Sequence, residues 1–169
     1  SFDPAAPATT QTEFEDGQTG VQYFRSGSVS AFDGTNAYVY TPKTNSNGEL
    51  TSLKFTVYAK NGSSWTMTKE VALSPQYTNY PNRMAYDPAT GQLYGYRNGM
   101  PTNFYTINKE TGAMTLVAGI NNGFFASLAI DRNGDFYAFD YDCQLNKLDI
   151  QGGTFTTIGS TGQAFGDMH

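Results

Sequence analysis

The sequence predicts an all-β fold, and three observations support that prediction. The chain of 169 residues is only 15% charged, yet it carries 12 Tyr, 12 Phe and 18 Gly. Aromatic side chains suit a pleated, half-buried surface, whereas disordered chains are highly charged and poor in aromatics. Apolar and polar residues alternate in short runs that are separated by glycine-containing turns. The third observation is that one pattern of such runs occurs more than once along the chain.

The repeat is clearest in MAYDPATGQLYGY (84–96) and LAIDRNGDFYAF (128–139). When Asp87 is placed over Asp131, the apolar residues before each Asp coincide, and so does the aromatic alternation after the turn. A weaker copy lies upstream in SAFDGTNAYVY (30–40). The chain therefore contains three copies of one structural unit.

Each copy is predicted to hold four short antiparallel strands. In the clearest copy the strands are expected at about 125–130, 135–140, 144–149 and 154–159. The Asn-Gly pair in RNGD (132–135) supplies the positive φ angles that a tight hairpin requires. Four antiparallel strands that recur every ~40–50 residues are typical of a propeller blade. The predicted blades span about 28–73, 82–118 and 125–159.

The segments AYDPATGQLYG (85–95) and AIDRNGDFYAFD (129–140) resemble blades of bacterial β-propeller proteins of the broad NHL and YncE-like kind. In those blades the first strand ends in Asp, a glycine turn follows, and the second strand has a Leu-Tyr-Gly type of sequence. The third strand then runs into Asp-x-x-Thr-Gly. The resemblance covers residues 28–160 and implies propeller architecture without implying one activity.

Three blades form an incomplete ring, because propellers typically have about 4–8. The last residues match the approach to the preceding first strand, so a fourth blade is expected to start at 164–169. The alternating run GVQYFR (20–25) is expected to complete the final blade. We therefore expect the N-terminal part of a larger propeller, with remaining blades to follow His169. The alternative is that several copies assemble to close the ring.

Residues 1–19 are rich in Pro, Ala and Thr and show no periodic pattern, which predicts a flexible tether before a propeller fragment at 20–169. A tether ahead of an aromatic-rich β domain is typical of exported proteins, so an extracellular, cell-surface or periplasmic location is expected. No run approaches the ~18 continuous apolar residues of a membrane span.

The composition argues against several functional classes. The net charge is −5, and the 10 Lys and Arg residues are scattered, so no basic patch for nucleic acid is visible. Cys143 is the single cysteine and His169 the single histidine, which argues against an internal disulfide or a zinc site built from several thiolates. We predict no cofactor and no metal.

Acidic residues in two turns are candidates for chemistry. The segment DRNGD (131–135) spaces oxygens like the start of an EF-hand loop, but its Gly is fourth rather than sixth. Asp87 occupies the same place in its own copy, so turn capping is the favoured interpretation and calcium the alternative. Asp140 and Asp142 are close enough in sequence for an acid–base pair, although a role in the loop is favoured.

Two further residues are candidates for reactivity or ligand binding. Cys143 has no nearby His to activate it, so an inert or buried thiol is expected. His169 falls in a predicted first strand near the ring axis, where the propeller resemblance places ligands, but it is also the last residue of the chain.

Aromatic residues provide the remaining candidates. Five residues could form a sugar-stacking surface with hydrogen-bonding partners, although a role in the blade core is the favoured interpretation. These residues are Tyr77, Tyr80, Tyr96, Arg97 and Asn98. Trp65 aligns with Met114 and Phe155 and is expected to be a packing residue of the fourth strand.

The function expected from these observations is a non-enzymatic ligand-binding, protein-binding or scaffolding propeller of an exported or cell-surface bacterial protein. Its partner would be a protein or a glycan. No catalytic residue is predicted, because no nucleophile–base pair is recognisable. The alternative is part of a propeller enzyme of the lactonase, glycosidase or lyase type, with its active site completed by blades outside this chain. In the blades expected beyond residue 169, recurring His, Glu or Asp at the tops of inner strands would favour catalysis, whereas small or hydrophobic residues there would favour binding.

Overall fold

A computed structural model describes residues 28–74 and 80–160. These residues form twelve β-strands, which are arranged in three four-stranded antiparallel sheets, and they contain no helix. In each sheet the spatial order of the strands follows their order in the chain. The predicted all-β fold, with three blades of four antiparallel strands in an open arrangement, is confirmed. The described part of the chain offers no apolar helix of membrane-spanning length.

The three sheets, or blades, follow one another along the chain. Blade 1 contains β1 (Val29–Phe32), β2 (Asn36–Thr44), β3 (Leu50–Asn61) and β4 (Ser64–Leu73). Blade 2 contains β5 (Arg83–Asp87), β6 (Gln92–Arg97), β7 (Thr102–Ile107) and β8 (Met114–Ile120). Blade 3 contains β9 (Ala129–Ile130), β10 (Phe136–Phe139), β11 (Gln144–Asp149) and β12 (Thr154–Ser160).

The strand register confirms the alignment of the three sequence copies. The first hairpins of blades 1 and 3 close with the residue before the aligned Asp, in the pairs Phe32↔Ala37 and Ile130↔Phe136. The first hairpin of blade 2 extends one pair further, to Asp87↔Gln92. The turn that follows contains a glycine with positive φ in every blade, at Gly34, Gly91 and Gly134. The repeated Asp-and-Gly pattern therefore encodes one hairpin three times.

The first strand of blade 3 is shorter than the predicted 125–130, because only Ala129–Ile130 pair continuously with β10. Upstream, Phe125 makes an isolated bridge. The N–H groups of Ala126 and Ser127 both donate to the carbonyl oxygen of Phe139. The Ser127 hydroxyl also accepts a hydrogen bond from the N–H of Phe139, at 3.0 Å. Since two donors share one carbonyl, the regular ladder is interrupted there.

The cores of the molecule lie between neighbouring blades. The first inter-blade core joins blades 1 and 2 through side chains no more than 1% exposed, including Tyr40, Phe55, Leu93 and Ile107. The second joins blades 2 and 3 and includes Tyr96, Phe104, Phe125 and Leu148. Each four-stranded sheet has two apolar faces, so stacking the blades side by side removes these faces from water.

The predicted packing role of Trp65 is confirmed. It lies against buried Ala37, Val39 and Tyr58 on the face of blade 1 away from blade 2, and its ring meets Phe32 edge-on at 5.5 Å. Its aligned counterparts pack against the two inter-blade cores, Met114 on the first and Phe155 on the second. Three residues after each of these side chains the fourth strand carries a β-bulge, at Thr68, Val117 and Ile158.

Candidate functional site

A groove opens where the first strands of the three blades begin. These strands lie side by side, with β1 next to β5 and β5 next to β9. The groove has a volume of about 450 Å³ and is lined by Ser28, Val29, Ser30, Asn82, Arg83, Met84, Ser127 and Leu128. It therefore collects side chains from three separate parts of the chain.

The repeat places different chemistry at one equivalent position of the groove. The position four residues before the aligned Asp holds an aliphatic side chain in blade 1, a guanidinium in blade 2 and a hydroxyl in blade 3, namely Val29, Arg83 and Ser127. The hairpins beyond this position are alike in all three blades. The groove is thus a place where the three copies have diverged.

Arg83 is the only ionisable side chain among the residues that line the groove. Its Nε donates to the carbonyl oxygen of Ala126 at 2.7 Å, and its Nη1 donates to the carbonyl oxygen of Asn82 at 2.7 Å. The first of these bonds reaches from blade 2 to the segment leading into blade 3. The guanidinium is therefore held across the junction of two blades.

The other polar groups of the groove are neutral. Asn82 accepts a hydrogen bond from the N–H of Asn98 at 2.8 Å, which fixes its side chain beside Arg83. Ser28 Oγ is buried and has no hydrogen-bond partner among the described residues. The lining contains hydroxyl, amide and guanidinium groups together with three apolar side chains, and none of its members is a carboxylate, a histidine or a cysteine.

The acidic candidates lie in turns, as the favoured interpretation predicts. Asp131 Oδ1 accepts the N–H groups of Asn133 at 2.8 Å and Asp135 at 3.0 Å. Several hydrogen-bond donors lower the pKa of Asp131 below its ordinary value, and the N–H of Asp135 has the largest effect. Asp87 likewise accepts the N–H of Ala89 at 2.9 Å. Within residues 28–74 and 80–160, no group of three or more His, Cys, Asp or Glu is placed to hold a metal ion.

The predicted loop role of Asp140 is also confirmed. Its Oδ1 accepts the N–H groups of Asp142 at 3.0 Å and Gln144 at 2.9 Å, and its Oδ2 accepts from the amide of Asn146 at 3.0 Å. Because both oxygens are engaged by the turn, Asp140 closes the loop. Cys143, in the same loop, is buried as expected and has a φ of 57°.

The aromatic candidates belong to the blade cores wherever they are described. Tyr96 is fully buried, its hydroxyl donates to the carbonyl oxygen of Phe125 at 2.6 Å, and burial raises its pKa. Asn98 Nδ2 also donates to the Phe125 carbonyl, at 2.8 Å. Tyr80 packs against the first inter-blade core. Arg97 is half-buried at the end of β6.

Two of the named candidates, Tyr77 and His169, lie outside the described residues, as does the predicted strand at 20–25.

The groove residues themselves were not singled out from the sequence. Arg83 sits in NRMAYD (82–87), where nothing local distinguishes it from an ordinary surface arginine. The signal that identifies it is the comparison of aligned copies, in which Arg83 stands opposite Val29 and Ser127. That comparison becomes informative only once the first strands are known to meet.

Comparison with known proteins agrees with this architecture. No protein-family model and no curated protein sequence matches the chain. Among solved structures, an exo-β-1,3-galactanase from Clostridium thermocellum is similar with a TM-score of 0.50 and 14% sequence identity, over 86% of this chain and 39% of the galactanase chain. At identities this low the similarity concerns the fold alone.

Two further structures are similar over part of their length. One is a protein of unknown function from Bacteroides thetaiotaomicron, with a TM-score of 0.48, 21% identity and coverage of 80% of this chain and 36% of that one. The other is a gluconolactonase from Xanthomonas campestris, with a TM-score of 0.46, 15% identity and coverage of 78% and 45%. The chain thus spans less than half the length of each of these three structures.

The three sheets and the galactanase comparison together define the class of the molecule as a β-propeller in an open, three-blade arrangement. The closer resemblance to NHL and YncE-like blades stays a prediction.

Proposed function

We propose that this protein is a non-enzymatic binding propeller whose ligand occupies the groove at the start of the first strands. The observation that carries the proposal is the chemistry of the groove lining. Proton transfer by side chains is usually carried out by His, Glu, Asp, Lys, Tyr or Cys, and the lining contains none of these. Ligand sites are usually concave, and a small number of convergent polar groups fix the orientation of the ligand.

The proposed ligand is a protein or a glycan, and the proposed location is the exterior of a bacterial cell or its periplasm. The low charge, the aromatic-rich β domain and the Pro, Ala and Thr-rich segment before it support this location. The residues at the starts of the first strands support binding over catalysis, because Val29, Arg83 and Ser127 include no repeated acid or base.

The test uses the full-length natural protein, a glycan array and an activity screen on the same saccharides and on sugar lactones. We expect retention of at least one glycan class without release of products, as followed by NMR of the sugar protons. Ser30→Trp, which fills the groove, should abolish binding. Thr35→Trp, in the exposed turn at the other end of β1, is the matched control and should bind normally. Product formation that Ser30→Trp abolishes would instead establish the enzymatic alternative.

A further inference from the structure

We propose that the groove binds an acidic saccharide and that Arg83 receives its carboxylate. This inference rests on the proposed function and narrows it to one class of ligand. Three features support it: the orientation of the guanidinium, the absence of a carboxylate beside it in the described chain, and the remaining lining of the groove.

The guanidinium of Arg83 is oriented before any ligand arrives. Two backbone carbonyls, those of Ala126 and Asn82, accept from its Nε and Nη1. Nη2 donates to no residue in the described part of the chain, so its N–H groups remain for a ligand. A fixed guanidinium loses little conformational entropy on binding, and its planar fork matches a carboxylate.

Arg83 has no acidic partner in the described part of the chain, in contrast to four of the six lysines there. Four lysines lie within 4.0 Å of a carboxylate, in the pairs Lys54–Glu70, Lys69–Glu110, Lys109–Asp33 and Lys147–Asp135. No described carboxylate lies within that distance of Arg83, although acidic residues outnumber basic ones in the sequence, 15 to 10. An exposed cation without an internal partner is the chemical complement of an anionic ligand.

The rest of the lining fits a saccharide. The hydroxyl and amide groups of Ser30, Asn82 and Ser127 can exchange hydrogen bonds with sugar hydroxyls. Half-buried Leu128 supplies apolar surface beside them, whereas Val29 and Met84 belong to the buried first inter-blade core beneath the groove. The volume of about 450 Å³ falls within the ~300–1,000 Å³ usual for small-ligand pockets.

The test is isothermal titration of the full-length natural protein with tri-galacturonate and, as the matched neutral probe, its methyl ester. We expect the acid to bind about tenfold more tightly than the ester, because an ester cannot pair with the guanidinium. Arg83→Gln should remove that preference, so that the acid and the ester bind with equal affinity. Arg132→Gln, at an exposed arginine in the β9–β10 turn, should behave like the wild type. Thermal unfolding of each variant verifies that it is folded.

The possible failures are distinguishable. Equal binding of acid and ester, unaffected by Arg83→Gln, would overturn the inference while leaving a glycan-binding propeller in place. Binding of inorganic phosphate at Arg83 without binding of tri-galacturonate would also overturn it, as would no binding of either saccharide. Shortened saccharides appearing during the titration would contradict the proposed non-enzymatic function itself.

Discussion

At the residue scale, Asp and Asn side chains define where the chain reverses. Their Oδ1 atoms accept backbone N–H groups two to four residues further on, at Asp33, Asn45, Asp87, Asn108, Asp131, Asp140 and Asp149. Such a side chain satisfies N–H groups that the strand ladder leaves free. A propeller blade needs three reversals in a short stretch of chain, so these residues recur throughout the sequence.

Glycine at position 112 is required both by its backbone and by its surroundings. Its φ is 68°, and a Cβ atom there would lie 2.5 Å from Cγ of Phe55 in the first inter-blade core. Gly62 holds the corresponding turn in blade 1 with a φ of 64°, and a Cβ there would meet nothing within 4 Å. The two glycines share the backbone constraint and differ in packing.

We expect Gly62→Ala to lower the free energy of unfolding by about 1 kcal/mol, the cost of the left-handed conformation. Gly112→Ala should lower it by about 2–4 kcal/mol, because overpacking against Phe55 adds to that cost. Urea unfolding of both variants provides the measurement. Equal losses would show that the blades separate enough to accept the methyl group.

At the element scale, each first hairpin is a local unit organised by its Asp. In blade 1, Asp33 accepts the N–H groups of Thr35 at 2.9 Å and Asn36 at 2.7 Å, as well as the hydroxyl of Tyr38 at 2.8 Å. Partial burial alone would raise the pKa of Asp33, but these donors outweigh it and lower the pKa below 3.8. The ionised carboxylate thus stabilises the β1–β2 turn.

The lowered pKa of Asp33 predicts how the stability of the protein depends on pH. Because the pKa of Asp33 is lower in the folded state, its contribution is fully present above pH 3.8 and is lost as the pH falls through the folded-state value. Asp33→Ala should therefore destabilise the protein most near neutral pH, and the difference from the wild type should shrink below pH 3.8. Thermal unfolding of the variant and the wild type across that pH range measures this difference.

Asp142→Ala is the control for this experiment. Its carboxylate accepts no hydrogen bond from described residues, so the substitution should change the unfolding temperature little at any pH. An Asp33→Ala profile parallel to that of Asp142→Ala would contradict the assigned role of Asp33.

At the scale of the whole molecule, stability is distributed between two inter-blade cores. Phe55 is fully buried in the first and Phe104 is fully buried in the second. A stack of repeats is stabilised by each unit and by its contacts with direct neighbours. Removing one core should therefore loosen the two blades that share it more than the remaining blade.

We expect Phe55→Ala and Phe104→Ala each to lower the free energy of unfolding by about 3–5 kcal/mol. In amide hydrogen exchange, Phe55→Ala should reduce protection mainly in β1–β8, whereas Phe104→Ala should do so mainly in β5–β12. The two variants are controls for one another, since the same side chain is removed at equivalent burial. Uniform loss of protection in both would show that the blades unfold as a single cooperative unit.

The fold could be predicted from the sequence because its signals are local. The alternation of residues in a strand and the Asp-and-Gly turn after it involve residues close together in the chain, and both recur in three copies. The shortened β9 could not be predicted, because it depends on contacts across the sheet: the N–H groups of Ala126 and Ser127 share the carbonyl oxygen of Phe139, and the Ser127 hydroxyl accepts from the N–H of Phe139.

The sequence by itself determined the all-β class, the repeat and the hairpins, since each depends on short-range hydrogen bonding and strand periodicity. Only the tertiary structure decided the groove, because Ser28, Arg83 and Ser127 are far apart in the chain and meet when the first strands lie side by side. It also decided that Tyr96 is a core residue, since burial depends on the neighbouring blade. Local propensity shapes a blade, whereas packing between blades brings distant side chains into one site.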